Sequence, residues 1–292
     1  MAKTVLVTGA AGFIGSHVVE ALCRRGDRVL GLDSFDGYYD PAVKHRNVAE
    51  VRAGLPAAAA FELTTGDVRD RDLVRALLGR GGVDAVVHLA ALAGVRASIG
   101  HAARYFDVNV TGTIHLLDAC VEHHVPQFVF ASTSSVYGNT TRLPFVEDDA
   151  CDRPLAPYPA SKRACELLGY SHHNLHGLSF TALRFFTVYG PRNRPDMMAY
   201  KLLESVTRGE PVEVYEGGQL KRDWTYVADI AQGVLEAVDR PLGYELINLG
   251  RGEPVLLADF VRVVEELGGR RAVTRDARMP AADVRQNFAD VS

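Results

Sequence analysis

The sequence is poor in the features that build disulfide frameworks, membrane spans and secretion signals. It has four cysteines in 292 residues and no C-x-x-C pair, so we expect free thiols in a reducing compartment and a cytoplasmic location. No apolar run approaches the ~18 residues that a membrane span needs. The glycines at positions 9, 12 and 15 interrupt the apolar helix that a signal peptide requires. We therefore predict no secretion signal and no membrane association.

Positive charge is not in excess either. The chain has 32 Lys and Arg against 36 Asp and Glu, which gives a formal net charge of −4, and its arginines are scattered. A nucleic-acid surface is normally basic and clustered, so no nucleic-acid partner is expected. The histidine pairs at 123–124 and 172–173 are adjacent in sequence and would point to different faces of a helix. We therefore predict no metal site.

What the sequence does contain is an alternation of short apolar runs with longer helical patterns. Strand patterns such as KTVLVTG, DRVLGLD and VDAVVHLA alternate with helical patterns such as FIGSHVVEALCRRG. This alternation predicts an α/β fold, with a Rossmann-type doubly wound parallel sheet covered by helices on both faces. We expect the sheet within residues 1–190, with later segments interleaved, and a smaller C-terminal substrate-binding lobe over 191–292. The final NFADVS shows no helical pattern, and a truncated C-terminus is one interpretation.

Three glycines lie where the first strand pattern becomes the first helical pattern. Gly9, Gly12 and Gly15 permit a tight turn and let backbone N–H groups approach a pyrophosphate at the helix N-terminus. Asp33 ends the second strand 18 residues after Gly15, where a carboxylate binds the adenosine ribose and favours NAD over NADP. The pattern predicts dinucleotide binding. The alternative is a structural turn in a flavodoxin-like protein.

Four further residues are expected beside the dinucleotide. Phe13 and Ile14 lie within the glycine turn, and Asp67 and Val68 follow the third strand pattern in TTGDVRD, where they would flank the adenine. The alternative for Asp67 is a simple helix cap.

The segment YPASK places Tyr158 and Lys162 four residues apart, one helical turn from each other. A phenol with a pKa near 10 is a poor base at neutral pH. A neighbouring ammonium and the positive ring of an oxidised nicotinamide would both favour the phenolate, which could then take a proton from a sugar hydroxyl. A half-buried tyrosine beside a solvated lysine is the alternative.

The GxxGxxG spacing, the HLAA segment at 88–91 and the Tyr158-x-x-x-Lys162 pair together resemble the extended short-chain dehydrogenase/reductase family, over almost the whole chain. The resemblance implies a tightly bound, recycled NAD. It implies that Thr133 in ASTSSVYG is the catalytic hydroxyl beside Tyr158 and Lys162. It further implies that Leu89, Ala90, Ala91 and Asn109 belong to the cofactor site.

The two positions that follow Thr133 distinguish between the possible reactions. The dehydratases that this chain resembles have an Asp-Glu pair there and the decarboxylases have a Glu, whereas this chain has Ser134 and Ser135. Without those acids the expected outcome is oxidation at C4, rotation of the 4-keto sugar and hydride return to its other face, which is epimerisation. A reductase that releases NADH and a non-catalytic NAD-binding protein are the rival hypotheses.

The segments LDSFDGYYDPAVK, HLAALAGVRAS and LRFFTVYGPRNRPDM are closer to UDP-glucuronate 4-epimerases than to the UDP-galactose type. Thr187 stands where the galactose type usually has Asn. With Ser134 and Ser135, it would form a hydroxyl cradle for the C6 carboxylate. We therefore expect conversion of UDP-glucuronate to UDP-galacturonate, with UDP-glucose or UDP-N-acetylglucosamine as the alternative substrate.

The UDP end of the substrate is expected in the C-terminal lobe. The resemblance assigns Arg222 in KRDWTYV to the diphosphate and Asp283 to the uridine ribose, although the surrounding MPAADVRQ departs from the family pattern. Arg96, Arg192 and Arg194 are candidate contacts to phosphate or sugar. For each arginine the alternative is a solvated side chain or a structural ion pair.

The resemblance also implies a homodimer through two long helices, at residues 101–124 and 158–176. VNVTGTIHLLDAC and CELLGY would supply the apolar stripes of that bundle.

Overall fold

The computed structural model describes residues 2–292, and a seven-stranded parallel sheet forms its centre. The strand order is β10-β6-β5-β4-β1-β2-β3, and the chain reverses its direction of progress between β1 and β4, as in a doubly wound fold. The predicted α/β fold with a Rossmann-type sheet is confirmed. The strands are β1 Thr4–Thr8, β2 Arg28–Asp33, β3 Ala60–Thr65, β4 Ala85–His88, β5 Gln127–Thr133, β6 Ser179–Phe185 and β10 Tyr244–Leu249.

Helices cover both faces of this sheet. One apolar core lies under α1 and α8, and a second lies under α3, α5 and α6. Burial on both faces explains why the central strands are apolar at nearly every position. None of the helices within residues 2–292 is both long and apolar enough to cross a membrane. The helices are α1 Phe13–Arg25, α2 Pro41–Gly54, α3 Arg71–Leu78, α4 Ala102–Phe106, α5 Gly112–Glu122, α6 Pro157–His176, α7 Met198–Arg208, α8 Val227–Asp239 and α9 Leu257–Gly268.

The C-terminal third builds two small sheets and also returns to the large one. Strand β9 pairs with β11, β13 and β7, while β8 pairs with β12. By contrast, β10 forms an edge of the large sheet beside β6, and α8 packs against α1. The chain thus crosses between the two parts more than once. The small strands are β7 Thr187–Tyr189, β8 Val212–Tyr215, β9 Lys221–Tyr226, β11 Pro254–Leu256, β12 Thr274–Ala277 and β13 Gln286–Asn287.

The long helix predicted over 101–124 is present but is not regular throughout. A π-helical segment, Asp107–Thr111, separates α4 from α5. Such segments widen a helix by one residue in a turn and frequently mark functional sites. This one places Asn109 against the loop after β4, where its side chain bonds both backbone groups of Leu92.

A fully buried ion pair joins α6 to the centre of the sheet. Two nitrogens of Arg184 on β6 donate to the two carboxylate oxygens of Glu166 at 3.0 and 2.9 Å, and the Ser132 hydroxyl on β5 donates to Glu166 Oε1 at 2.6 Å. Both charged side chains are fully buried. Buried charges tolerate the loss of a partner poorly, because the remaining charge keeps its desolvation cost.

We expect Glu166→Ala to lower the free energy of unfolding by about 3–5 kcal/mol, because it leaves the Arg184 guanidinium buried without a carboxylate. The measurement is urea unfolding followed by circular dichroism. Glu204→Ala is the matched control, since Glu204 pairs with Arg208 on the surface of α7 and should cost less than about 1 kcal/mol. Equal losses in the two variants would contradict the prediction.

Candidate active site

Two adjoining cavities open at the edge of the sheet where the strands end. The first cavity is lined by the glycine turn, Asp33, Lys44 and the loops after β3 and β4. The second cavity extends from the end of β5 towards the small sheets and is lined by Thr187, Arg222 and other C-terminal residues. Both cavities share the side chains of Tyr158 and Arg194. A ligand in either cavity would therefore meet the same two groups.

The glycine turn leaves backbone surface open to a ligand. Gly9 has a φ of +70°, which favours glycine, and a Cβ there would lie 2.8 Å from the Ala90 nitrogen. A Cβ at Gly15 would lie 2.0 Å from the Gly9 carbonyl oxygen. Helix α1 begins at this turn with no side-chain cap, so its first N–H groups are free to bind an anion. This geometry fits the pyrophosphate of a dinucleotide.

Asp33 lies at the far end of the first cavity. Its carboxylate accepts hydrogen bonds from the backbone N–H groups of Ala11 at 3.0 Å and Phe35 at 2.8 Å, and lies 3.6 Å from the Lys44 ammonium. Lys44 comes from the first turn of α2, lines the same cavity and was missed by the sequence analysis. The pattern of strands and helices in the sequence does not indicate that a lysine of α2 contacts the end of β2.

The structure brings nearly all of the predicted cofactor residues together. Lining the first cavity are Gly9, Gly12, Phe13, Ile14, Gly15, Asp33, Asp67, Val68, Leu89, Ala90, Ala91, Tyr158 and Lys162. Asp67 accepts from Arg69, and the cap of α3 is the neighbouring Asp70. Asn109 is the exception, since it does not line this cavity. It is buried behind the cavity, where its amide bonds Leu92 and donates to Ser161 Oγ at 3.0 Å.

Thr133 ends β5, and Tyr158 and Lys162 lie in the first two turns of α6. The Lys162 ammonium is buried, donates to the Ala131 carbonyl at 2.8 Å and lies over the Phe130 ring. Burial lowers the pKa of Lys162 to about 8. The lysine therefore anchors α6 to the strand that carries Thr133.

The tyrosine environment differs from the one expected. Burial raises the pKa of Tyr158, while the charge of Arg194 and the neighbouring Thr133 hydroxyl oppose that rise. Arg194 is a cation that acts on this phenol, and the Lys162 ammonium bonds the Ala131 carbonyl. Arg194 is held by two bonds to the Asp196 carboxylate, at 2.9 and 2.8 Å.

Arg192, a candidate contact to phosphate or sugar, lines neither cavity and forms the structural ion pairs that were the alternative. Its guanidinium bonds Glu20 at 2.8 Å and Glu50 at 3.0 Å, on the outer surfaces of α1 and α2. The backbone φ of Arg192 is +60°, so the chain turns at this residue and directs Arg192 and Arg194 to different sides of the loop. Arg192 thus anchors the loop that carries Arg194, and Arg194 lines both cavities.

The remaining predicted substrate residues line the second cavity. Ser134, Ser135 and Thr187 lie near its Tyr158 end, and Arg96, Arg222 and Asp283 lie towards the small sheets. Arg222 Nη2 donates to Asp283 Oδ1 at 2.7 Å, and Arg96 donates to the Tyr215 hydroxyl.

Sequence reasoning missed several other residues of the second cavity. Among them are Tyr38, Lys201, Tyr215, Trp224 and Asn287. Trp224 could have been found, because it is two residues after Arg222 on one strand and the two must share a face.

The fold and the site define an extended short-chain dehydrogenase/reductase: a parallel sheet, a glycine turn before α1, and a Thr133, Tyr158 and Lys162 group at the adjoining cavity. Residues 5–250 match the NAD dependent epimerase/dehydratase family, and the chain belongs to that family.

Several relatives resemble the chain over nearly its whole length. It is 39% identical over 288 residues to the UDP-glucuronate 4-epimerase of Thermodesulfobacterium geofontis, covering 98% of this chain and 87% of the relative. Its structure resembles a Bacillus cereus UDP-glucuronic acid 4-epimerase in complex with UDP-glucuronic acid and NAD, with a TM-score of 0.90, 34% identity and coverage of 99% and 90%. MoeE5 in complex with UDP-glucuronic acid and NAD gives a TM-score of 0.86, 39% identity and the same coverage.

We expect Gly15→Ala to abolish dinucleotide retention, because its Cβ would clash with the Gly9 carbonyl and force the turn open. The measurement is the nicotinamide content of the purified protein together with its affinity for added NAD. Gly37→Ala is the matched control, since a Cβ there meets no atom within 4 Å. Retention that falls equally in both variants, or in neither, would contradict this account of the turn.

Proposed function

We propose that this protein is an NAD-dependent C4 epimerase of UDP-sugars that converts UDP-glucuronate to UDP-galacturonate. The observation that carries the proposal is the group of hydroxyls at the Tyr158 end of the second cavity: Thr133, Ser134, Ser135 and Thr187. The first three follow one another at the end of β5, and the Thr133 and Ser135 hydroxyl oxygens lie 3.2 Å apart. Neutral donors in this place can bind a sugar carboxylate without adding a second negative charge.

The relatives support the same substrate class. The relatives from Thermodesulfobacterium and Bacillus are UDP-glucuronate 4-epimerases, and the Bacillus and MoeE5 structures contain UDP-glucuronic acid and NAD. The family to which this chain belongs is NAD dependent. Our proposal transfers that cofactor and that substrate to this chain.

The residues of the first cavity fit NAD. The glycine turn would hold the pyrophosphate, and Asp33 would accept hydrogen bonds from the adenosine ribose. A bound NAD would supply a group that accepts a hydride from C4 of the sugar and returns it to the opposite face.

Tyr158 is the group that moves the proton. As a phenolate it takes the proton of the C4 hydroxyl, and it returns a proton to the same oxygen once the configuration at C4 has inverted. Arg194 and Thr133 hold down the pKa of the phenol that burial raises, so both favour the reactive form. Thr133 also has a hydroxyl at the end of β5 from which to bond the reacting oxygen.

The carboxylates of the second cavity already form ion pairs with arginines. Among residues 2–292, the carboxylates that line it are Asp196, held by Arg194, and Asp283, held by Arg222. Ser134 and Ser135 occupy the positions at which elimination or decarboxylation would need a free acid. Because the 4-keto form of glucuronate is a β-keto acid, a pocket of neutral donors favours its return to a hydroxyl over loss of CO₂.

The UDP moiety would lie along the Arg222 end. The Arg222 guanidinium suits the diphosphate, and Asp283, which it now binds at 2.7 Å, would turn to the uridine ribose. Arg96, whose guanidinium lies over the Tyr215 ring, is a further cation near this end.

UDP-glucose is the second candidate substrate, and a specific finding favours keeping it. MoeE5 has also been solved in complex with UDP-glucose and NAD, and that structure is 40% identical to this chain with a TM-score of 0.85. UDP-N-acetylglucosamine is the remaining neutral alternative. A reductase would instead accumulate NADH, and a non-catalytic binding protein would leave both sugars unchanged.

The test is to incubate the protein with UDP-glucuronate and with UDP-glucose separately and to resolve the C4 epimers by chromatography. We expect turnover of the uronate without net NADH, and no turnover by Tyr158→Phe. Thr187→Val should lower kcat/KM for UDP-glucuronate about ten-fold or more, since a hydrogen bond to a charged group contributes about 1.5–3 kcal/mol. It should change kcat/KM for UDP-glucose less than about three-fold. Equal losses on both sugars would refute the carboxylate cradle, and turnover of UDP-glucose alone would refute the uronate assignment.

We also propose a homodimer through α4, α5 and α6, in a reducing cytoplasm. Helix α6 leaves Leu167 and Tyr170 more than half exposed, and Phe106 on the neighbouring α4 is 39% exposed. Contiguous apolar surface of this kind is characteristic of an interface. The four cysteines are buried and unpaired, which supports a reducing compartment.

Leu167→Glu should convert the dimer to a monomer, because it places a charge in the apolar centre of the interface. Light scattering coupled to size-exclusion chromatography measures the mass directly. Leu267→Glu is the matched control, since Leu267 on α9 is 85% exposed and lies outside the proposed interface. A wild-type protein that elutes as a monomer would remove the dimer proposal.

A further inference from the structure

His88 ends β4 and opens the HLAA segment, yet it lines neither cavity. Its side chain is 1% exposed and lies between the Phe128 and Phe130 rings and the long helix. A buried histidine of this kind must satisfy both ring nitrogens within the protein. His88 does so with two threonines from different elements.

The directions of these hydrogen bonds are fixed by the neighbours. The Thr113 hydroxyl donates to the Asn109 carbonyl at 2.5 Å, so its oxygen is left to accept from His88 Nε2 at 3.0 Å. On the other side, Thr8 Oγ1 accepts from the Ala90 N–H at 3.2 Å and donates to His88 Nδ1 at 2.6 Å. The Nε2 atom therefore carries a proton, and in the neutral ring Nδ1 is the acceptor for Thr8.

This chain of hydrogen bonds continues to the active-site helix. The Asn109 amide donates to Ser161 Oγ at 3.0 Å, and the Ser161 hydroxyl donates to the Tyr158 carbonyl at 2.7 Å. The path runs from β1, just before the glycine turn, through the π-helical segment to the first turn of α6. It passes behind both cavities without entering either.

The charged and titratable groups that face this chain come from α6. They are Lys162, which lies close enough to act on the ring, and Cys165, whose thiol donates to the Asn109 carbonyl at 3.3 Å. Burial, and then the charge of Lys162, hold the pKa of His88 well below its usual value, which keeps the ring neutral.

We propose that His88 is a positioning residue that holds two parts of the site in register. Its Thr113 arm sets the π-helical segment and, through Asn109 and Ser161, the direction of Tyr158. Its Thr8 arm sets the loop of Ala90 beneath the dinucleotide. The effect on turnover rests on the proposed epimerase function, whereas the effect on dinucleotide binding does not.

Two substitutions at His88 separate the two arms. His88→Asn keeps an acceptor at the place of Nδ1 and removes the donor to Thr113. His88→Gln keeps a donor at the place of Nε2 and removes the acceptor for Thr8.

We expect His88→Asn to lower kcat about ten-fold and to leave KM within about two-fold. It should also move the acid limb of the kcat/KM profile upward in pH, because a displaced phenol loses the influence of Arg194. His88→Gln should keep kcat within about two-fold but lose bound NAD faster during gel filtration.

A threonine series makes the test independent of how well the histidine variants fold. Thr113→Val should reproduce His88→Asn, and Thr113→Ser should restore the wild-type rate and pH profile. Thr181→Val is the matched control, because Thr181 is equally buried and its hydroxyl has no hydrogen-bond partner among residues 2–292. Equal kcat and pH profiles in Thr113→Val and Thr181→Val, or equal losses in His88→Asn and His88→Gln, would overturn the proposal.

Failure of the proposed function would be recognised separately. If the wild-type protein epimerises none of the sugars, NAD retention by the His88 and Thr113 variants still tests the Thr8 arm. Nitrogen-15 spectra of the imidazole test the tautomer, which should stay neutral with its proton on Nε2 between about pH 6 and 9. A ring that titrates in that range, or one protonated on Nδ1, would overturn the inference whatever the substrate.

Discussion

The hydrogen bond from the Lys162 ammonium to the Ala131 carbonyl, 2.8 Å long and fully buried, joins the start of α6 to the end of β5. The site depends on this junction. Thr133 lies two residues beyond Ala131 on the strand, and Tyr158 lies one turn before Lys162 on the helix, so this bond contributes to their relative position. The cost of burying an ammonium is offset by the carbonyl and by the Phe130 ring beneath it. The contact that packs the helix on the sheet thus also brings together the residues to which we assign catalysis.

Two arginines of the second cavity are held by carboxylates of the protein. Arg194 is bound by Asp196, and Arg222 by Asp283. An anionic substrate must compete with those carboxylates, which favours a ligand whose diphosphate can use an arginine fork fully. The arrangement also keeps both guanidinium groups in defined positions before any ligand arrives, so little side-chain entropy is lost on binding.

The sheet, its glycine turn and the α6 pair follow from the sequence because each rests on local chemistry: apolar strands, a turn that excludes Cβ atoms, and two side chains one helical turn apart. The surroundings of Asn109 and Arg192 do not follow in the same way. Asn109 lies in a π-helical segment and Arg192 has a positive φ, and neither backbone feature is visible in the residue pattern. Lys44 was missed because its contact with Asp33 joins elements that are distant in sequence. The direction taken by the Lys162 ammonium likewise depends on packing around the whole helix.

Because the chain returns to the large sheet, that sheet is completed late during synthesis of the protein. Strand β10 is the outer neighbour of β6, and it comes from residues 244–249, long after the rest of that sheet. Until those residues leave the ribosome, β6 presents a row of unpaired backbone groups, and one face of β5 and β6 lacks the cover of α8. A chain that ends before β7 would therefore expose an edge and a face of the large sheet, and no single cut in the sequence separates that sheet from the two small ones.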